Sequence, residues 1–245
     1  MRRGLDAGRR LSCQAQLLDD VVIDVPASSQ VHQQVVRKPN EACDITIDPV
    51  LHPYYVEVAE PDMHDSKGDV ERLLEALEEQ WQLRHLTSDL SVAIELQAAL
   101  KADGRRVTVA VRQPGEVVAV WPGLRKNLSG IAVDVGSTTV AAHLCNLGSG
   151  DVLASAGIMN PQIRYGEDLM SRVSYIMMND GGEADLVSSI RKAINDLVAE
   201  VTAAAGIANQ QVVEMTVVGN PIMQHLVLGL NPVELGTAPF ALATD

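Results

Sequence analysis

The sequence predicts a small α+β module followed by an α/β sheet flanked by helices. Acidic charge is gathered in one stretch: residues 39–100 hold fourteen Asp and Glu against only Lys67, Arg72 and Arg84. Two short β-type runs joined by Pro114-Gly115 close that stretch as a hairpin. From Gly130 the texture changes to apolar runs and helical periodicity in the order β-β-β-α-α-β-α, the mix that packs helices on a sheet. At 245 residues and 47% apolar content, the chain is long enough to bury substantial cores.

Taken in order, residues 17–25 read as a strand ended by Pro26. Residues 26–53, with Pro26, Pro39, Pro49 and Pro53 among Ser, Gln and Asn, read as an extended linker. The α+β module, residues 54–124, opens with a strand at 54–58. Asp69 is placed to N-cap a helix, in which Leu73, Leu74, Leu77 and Trp81 share helical spacing between Glu71, Glu75, Glu78 and Glu79. Residues 88–100 form a second amphipathic helix capped by Ser88 or Asp89. Asp103-Gly104 then turns the chain into 106–112, the first arm of the hairpin with 116–121. The acidic helices read as solvated faces, with an acidic docking surface as the alternative.

The α/β unit, residues 125–245, begins with apolar strands at 131–135, 140–144 and 152–156, the last two separated by the turn Gly148-Ser149-Gly150. Helices are expected at 165–178 and 184–205, the second with Leu186, Ile190, Ile194, Leu197 and Val201 on one face. A strand at 212–218 leads through Gly219-Asn220-Pro221 into a helix at 222–228.

A formal charge of −13 and a pI near 4.8 argue against an electrostatic nucleic-acid binder. No run approaches 18 uninterrupted apolar residues, so no membrane span is expected. Arg2, Arg3, Arg9 and Arg10 are not followed by the apolar run of a secretory signal, and the cytoplasm is the default compartment. Cys13, Cys43 and Cys145 are too few and too far apart for a disulfide framework or a self-contained zinc site. His143 and His225 lie in apolar stretches and read as packed histidines, while Met159, Met170, Met177, Met178 and Met223 read as core or interface filler.

The segment that carries chemistry is Asp134-Val135-Gly136-Ser137-Thr138-Thr139. A carboxylate closes an apolar strand, and the turn after it is glycine with three hydroxyl residues. Such a turn suits a nucleotide phosphate with Mg²⁺: glycine admits close approach, amides and hydroxyls donate, and the carboxylate can hold hydrated Mg²⁺ or orient water. It equally suits an ordinary Gly-Ser turn whose amides Asp134 satisfies. It is neither a Walker loop nor a dinucleotide loop.

The strand–turn–strand resembles the first phosphate loop of the acetate/sugar kinase, heat-shock protein and actin superfamily. Two further motifs, Asn160-Pro161-Gln162-Ile163-Arg164-Tyr165-Gly166-Glu167-Asp168-Leu169-Met170-Ser171-Arg172 and Val218-Gly219-Asn220-Pro221-Ile222-Met223-Gln224-His225-Leu226, make residues 130–245 similar to the ATPase domain of the reductive activators of corrinoid proteins. The resemblance implies that 125–245 is the N-terminal half of an actin/sugar-kinase-like (ribonuclease H-like) ATPase domain. It implies that 54–124 is a middle domain, and that 1–25, around Arg10-Leu11-Ser12-Cys13-Gln14, is the C-terminal remnant of a [2Fe–2S] ferredoxin domain. A plant-type cluster needs four thiolates, so Cys13 alone is an incomplete set, and Met1 is expected to be a late start inside that domain.

Carried onto this sequence, the resemblance makes Asp134 the Mg²⁺-water or catalytic-water carboxylate and Gly136, Ser137, Thr138 and Thr139 the phosphate contacts. Glu167 and Asp168, with Gln162 and Arg172, become candidates for positioning phosphate or water; helix-start charge is the alternative for Glu167 and Asp168. Gly219 and Asn220 are candidate nucleotide contacts, Asn220 alternatively a helix N-cap. The implied function is ATP-driven electron transfer from an iron–sulfur cluster to a Co(II) corrinoid protein of a methyltransferase system, restoring Co(I). Its implied cofactors are ATP, Mg²⁺ and [2Fe–2S]. Its implied partners are the corrinoid protein, an electron donor and, as one arrangement, a second copy. A small-molecule kinase of the same superfamily and a non-catalytic binding or dimerisation module are the competing readings, and the isolated chain is expected to be inactive.

Overall fold

The computed structural model describes residues 46–244. The expected strand at 17–25, Cys13, Cys43 and most of the linker lie outside the described residues.

The first module is a four-stranded sheet carrying two helices. Its elements are β1 (Leu51–Glu57), α1 (Asp69–Trp81), β2 (Thr87–Ser88), α2 (Leu90–Ala102), β3 (Arg106–Arg112) and β4 (Glu116–Pro122), with strand order β1-β3-β4-β2. The hairpin expected from Pro114-Gly115 is the antiparallel β3–β4 pair, and β1 lies antiparallel to β3. Val56, Leu73, Leu77, Leu96, Leu100 and Val109 close the core between sheet and helices.

Two expectations in this module are corrected. The strand starts at Leu51 rather than after Pro53. Proline is tolerated there because β1 is an edge strand, whose outer side needs no ladder donor. Asp69 does not cap α1, since Gly68 occupies the N-cap and Asp69 is the first helical residue. Its Oδ1 instead accepts from Arg105 Nη2 at 2.6 Å. The other helix keeps its expected cap, Asp89 accepting from the Ser91 amide at 2.8 Å, while Ser88 belongs to β2.

The hydrogen bond from Arg105 holds the Asp69 carboxyl below its ordinary value, against the opposing effect of burial. A depressed carboxylate contributes stability that is complete above about pH 4 and is lost as pH falls through the lower folded value. Asp69→Asn should therefore flatten the acid limb of the Tm-against-pH profile. An unaltered acid limb would refute the assignment.

The second module has the expected β-β-β-α-α-β-α order. β5 (Ser129–Val135), β6 (Thr139–Asn146) and β7 (Val152–Met159) form an antiparallel meander. After α3 (Leu169–Met178) and α4 (Gly182–Ala205), the chain returns as β8 (Val212–Gly219), parallel to β5, and continues into α5 (Pro221–Leu228). The sheet order is β7-β6-β5-β8, an α/β arrangement as the sequence predicts. Leu186, Ile190, Ile194, Leu197 and Val201 bury one face of α4 with Ile131, Val133, Val135, Val140 and Leu144 from the sheet. Leu197 is 1% exposed, so Leu197→Ala should cost about 2–5 kcal/mol in chemical denaturation.

The helix expected at 165–178 starts four residues later. Pro161–Tyr165 is a 3-10 turn capped by Asn160, and α3 begins only at Leu169, capped by Asp168. Between the modules, Leu51, Ala110, Trp121 and Leu128 form a small shared core on which Leu147 and Val213 pack. Arg112 Nη2 also reaches Glu214 Oε2 across the seam at 3.2 Å.

Candidate phosphate-binding loop

β5 and β8 are parallel neighbours, so their carboxyl ends emerge side by side, with Val135 opposite Gly219. That end of an α/β sheet is where ligands bind as a rule. The two turns leaving it are the Gly136–Thr139 loop and the Gly219-Asn220 turn. A Cβ on Gly219 would stand 3.0 Å from the Val135 carbonyl oxygen, which shows how closely they approach. A cleft of about 400 Å³ lies beside the Gly219-Asn220 turn, lined by residues of β8 and α5 with Val135; neither Asp134 nor the Gly136–Thr139 loop lines it.

The loop is tight because Gly136 N–H donates back to Thr139 O at 2.9 Å. A Cβ on Gly136 would lie 2.7 Å from that same oxygen, closer than real Cβ contacts, so glycine is required for space. The next three carbonyls are held from one side. Asn160 Nδ2 donates to Gly136 O at 2.8 Å, Arg172 Nη2 donates to Ser137 O, and Asn160 N–H donates to Thr138 O at 2.8 Å. A trans peptide is planar with C=O and N–H on opposite sides. Anchoring the Gly136 and Ser137 carbonyls from behind therefore turns the amides of Ser137 and Thr138 away from Asn160 and Arg172. Successive outward amides are a concavity for an anion.

Asp134 is the penultimate residue of β5, partly buried and in register with Ala141 and Val218. Its neighbours Val133 and Val135 point into the helix-covered core, so alternation places Asp134 on the opposite sheet face. A carboxylate beside an outward-facing amide loop has the chemistry to hold a hydrated Mg²⁺ near a phosphate.

Other expected site residues occupy different roles. Gln162 and Arg172, expected to contact phosphate, are both fully buried. Gln162 Nε2 donates to Leu186 O at 3.0 Å, and Arg172 donates to Gly166 O at 3.1 Å and Gln162 Oε1 at 3.3 Å, besides Ser137 O. Arg172 meets the loop at Ser137 O, and Gln162 holds Arg172. Asp168 caps α3 through the Ser171 amide at 2.7 Å, and these Ser171 hydrogen bonds pull its pKa down. Glu167 is exposed. The helix-start alternative therefore describes Asp168. Asn220 caps α5, accepting from the Met223 amide at 3.1 Å.

His225 is buried as expected, its Nδ1 donating to Pro221 O at 2.8 Å and its Nε2 accepting from the Ala243 amide at 3.1 Å. His143 is half-buried, with Nδ1 2.8 Å from Ser155 Oγ.

Sequence reasoning missed Asn160, Gly166 and Met223. A Cβ on Gly166 would meet Arg172 N at 2.7 Å and Ser171 Cβ at 2.8 Å, so glycine lets this segment lie against the start of α3 and offer its carbonyl to Arg172. Met223 Sδ sits 3.3 Å from Arg172 Nη1. Asn160-Pro161 after a strand was the available signal, since Asn is favoured as a cap and Pro opens a helix.

A second cavity, about 470 Å³, lies in the first module between Glu57, Glu60, Asp65, Arg72, Glu75 and Arg105. Its carboxylates outnumber its guanidinium groups, which disfavours a phosphate. Among the described residues no group of His, Cys, Asp or Glu is placed to hold a metal ion by itself. Cys145 is a free thiol whose pKa is pushed up by burial, which disfavours the thiolate that a cluster needs. The described residues thus do not fit an iron–sulfur cluster, whereas the Gly136–Thr139 loop has the donor chemistry of a phosphate site. No described helix is long and apolar enough to cross a membrane.

A helix-flanked sheet with a tight glycine–hydroxyl turn at the carboxyl ends of adjacent parallel strands defines an α/β protein. Comparison with known proteins sharpens this. The RACo linker region matches residues 40–127 and the RACo middle region matches residues 129–245. The corrinoid activation enzyme RamQ of Eubacterium limosum is 24% identical over 235 residues, covering 94% of this chain and 38% of that protein. A solved structure, the reductive activator for corrinoid, iron–sulfur protein, superposes with a TM-score of 0.68 at 26% identity, covering 89% of this chain and 37% of the other. The chain belongs to the RACo family of corrinoid reductive activators. It spans less than two fifths of the length of these relatives.

Proposed function

We propose that this chain supplies the first phosphate loop of an ATP-dependent activator that returns Co(II) corrinoid proteins of methyltransferase systems to Co(I). The carrying observation is the anchoring of the Gly136, Ser137 and Thr138 carbonyls by Asn160 and Arg172, which leaves the Ser137 and Thr138 amides on the side away from these donors. ATP hydrolysis supplies the driving force for an uphill electron transfer to cobalt. The chain's own residues bind and orient: the amides of Ser137 and Thr138, with the hydroxyls of Ser137, Thr138 and Thr139, hold phosphate oxygens, and Asp134 holds a hydrated Mg²⁺ or the attacking water. No covalent intermediate is needed, because positioning and charge stabilisation suffice for phosphoryl transfer.

The [2Fe–2S] cluster belongs to this reading only through ligands beyond Cys13. An electron donor and a cytoplasmic setting, where ATP and strong reductants coexist, complete the proposal. Self-association of the chain fits the edge position of β8, where Val218 is 56% exposed. Family membership displaces the small-molecule kinase reading.

The test is a ¹H–¹⁵N titration of the chain with Mg²⁺ and triphosphate, then ATP. The Ser137, Thr138 and Thr139 amides should move first and furthest. Binding should be weak, and micromolar affinity for ATP would overturn that expectation. Amides in the loop that stay still at saturating triphosphate would overturn the phosphate assignment.

A further inference from the structure

We propose that Arg172 and Asn160 are positioning residues that set both the direction and the donor strength of the loop amides. This rests on the phosphate reading of the loop. Each of the three successive peptide groups of the loop is gripped at its carbonyl by one of these two side chains or by the Asn160 amide. Asn160 Nδ2 grips the Gly136–Ser137 peptide at 2.8 Å. Arg172 Nη2 grips Ser137–Thr138. The Asn160 amide grips Thr138–Thr139 at 2.8 Å. A hydrogen bond accepted by a carbonyl polarises its peptide and strengthens the N–H on the other side. The grip thus does two things: it aims each amide and it makes each a better donor to an anion.

Arg172 adds charge. It is fully buried, and its guanidinium is satisfied by the carbonyls of Ser137 and Gly166, the amide oxygen of Gln162 and the Met223 sulfur rather than by a carboxylate. The carboxylate acting on it electrostatically is Asp168, an exposed helix cap. Burial lowers the guanidinium pKa, yet arginine stays protonated in proteins. A buried cation without a buried carboxylate is a costly way to brace a turn, and an apolar side chain of similar size often serves as well or better. Its position one peptide group behind the outward amides gives the charge a use, because its field is felt by an anion in front of them.

Arg172 and Asn160 also contact Met223, the residue whose amide Asn220 caps, so the scaffold behind the loop is shared with the Gly219-Asn220 turn. The loop and the turn are therefore braced by one buried cluster.

The experiment compares wild type, Arg172→Met, Arg172→Lys and Asn160→Asp in the same chain by ¹H–¹⁵N spectra, free and titrated with Mg²⁺ and triphosphate. In the free protein, Arg172→Met should shift the Thr138 amide upfield, and Asn160→Asp should do the same to Ser137, because each loses the polarising donor. On titration, Arg172→Met should weaken triphosphate binding by about tenfold or more. Arg172→Lys should restore part of that loss, since it keeps the charge but not the fork. A purely structural brace predicts lower Tm in all variants and no selective movement of those amides. If Arg172→Met fails to fold, Arg172→Lys and Asn160→Asp carry the same comparison. Variants that bind triphosphate as wild type does, with Thr138 and Ser137 unmoved in the free state, would overturn the proposal. A wild-type loop that ignores triphosphate would overturn the phosphate reading instead, while the free-state shifts would still report the grip.

Discussion

Gly136→Ala should abolish triphosphate-induced shifts at Ser137, Thr138 and Thr139 while leaving the first module's spectrum intact. The added Cβ would sit 2.7 Å from Thr139 O, a backbone atom fixed by the start of β6 and by the hydrogen bond from Gly136 N–H. Neither partner can swing aside as a flexible side chain could. The turn must open, and opening it withdraws the carbonyls of Gly136 and Ser137 from Asn160 and Arg172. Overpacking of this kind costs about 1–3 kcal/mol, and the larger effect falls on binding because the amides lose their common direction. Normal triphosphate shifts in Gly136→Ala would show that the loop does not need its tight form to bind.

Asp134→Asn, placed in a full-length activator, should reduce ATP hydrolysis by roughly a hundredfold or more while leaving Tm close to wild type. Asparagine matches the carboxylate in shape and can still accept hydrogen bonds, but it cannot supply the negative charge that holds a hydrated Mg²⁺. Because Asp134 lies on the face of β5 opposite the apolar core, the change leaves packing untouched. Unchanged turnover would remove Asp134 from the site, and a large fall in Tm would mark it as structural.

Much of the fold was legible because its signals are local. The apolar runs of β5 and β6, the 3.6 periodicity of α4 and the proline–glycine turn of the β3–β4 hairpin each declare themselves within a dozen residues. What stayed hidden depends on partners far away in sequence. Asp69 looks like a helix cap until Arg105 claims it from 36 positions along the chain. Pro53 looks like a linker residue until β1 proves to be an edge strand. Two-residue β2 is too short to carry a pattern.

The site shows the same division. Gly136-Ser137-Thr138-Thr139 was readable as a phosphate cradle, but equally as an ordinary turn. What the structure adds is Asn160 and Arg172, 24 and 35 residues beyond the carbonyls they hold. Arg172, expected to position phosphate or water, is fully buried and donates to the Ser137 carbonyl, and its burial depends on elements that no local pattern joins. No property of Asn160 by itself distinguishes it from any other turn asparagine.

Strand β8 is pinned at two places that concern different parts of the molecule. Near its start, Glu214 is ion-paired to Arg112 of the first module; at its far end, Gly219 abuts the strand that carries the loop. Four residues of extended chain lie between them, a span of about 17 Å, so a single strand carries both the seam with the first module and the close approach to the strand that leads into the loop.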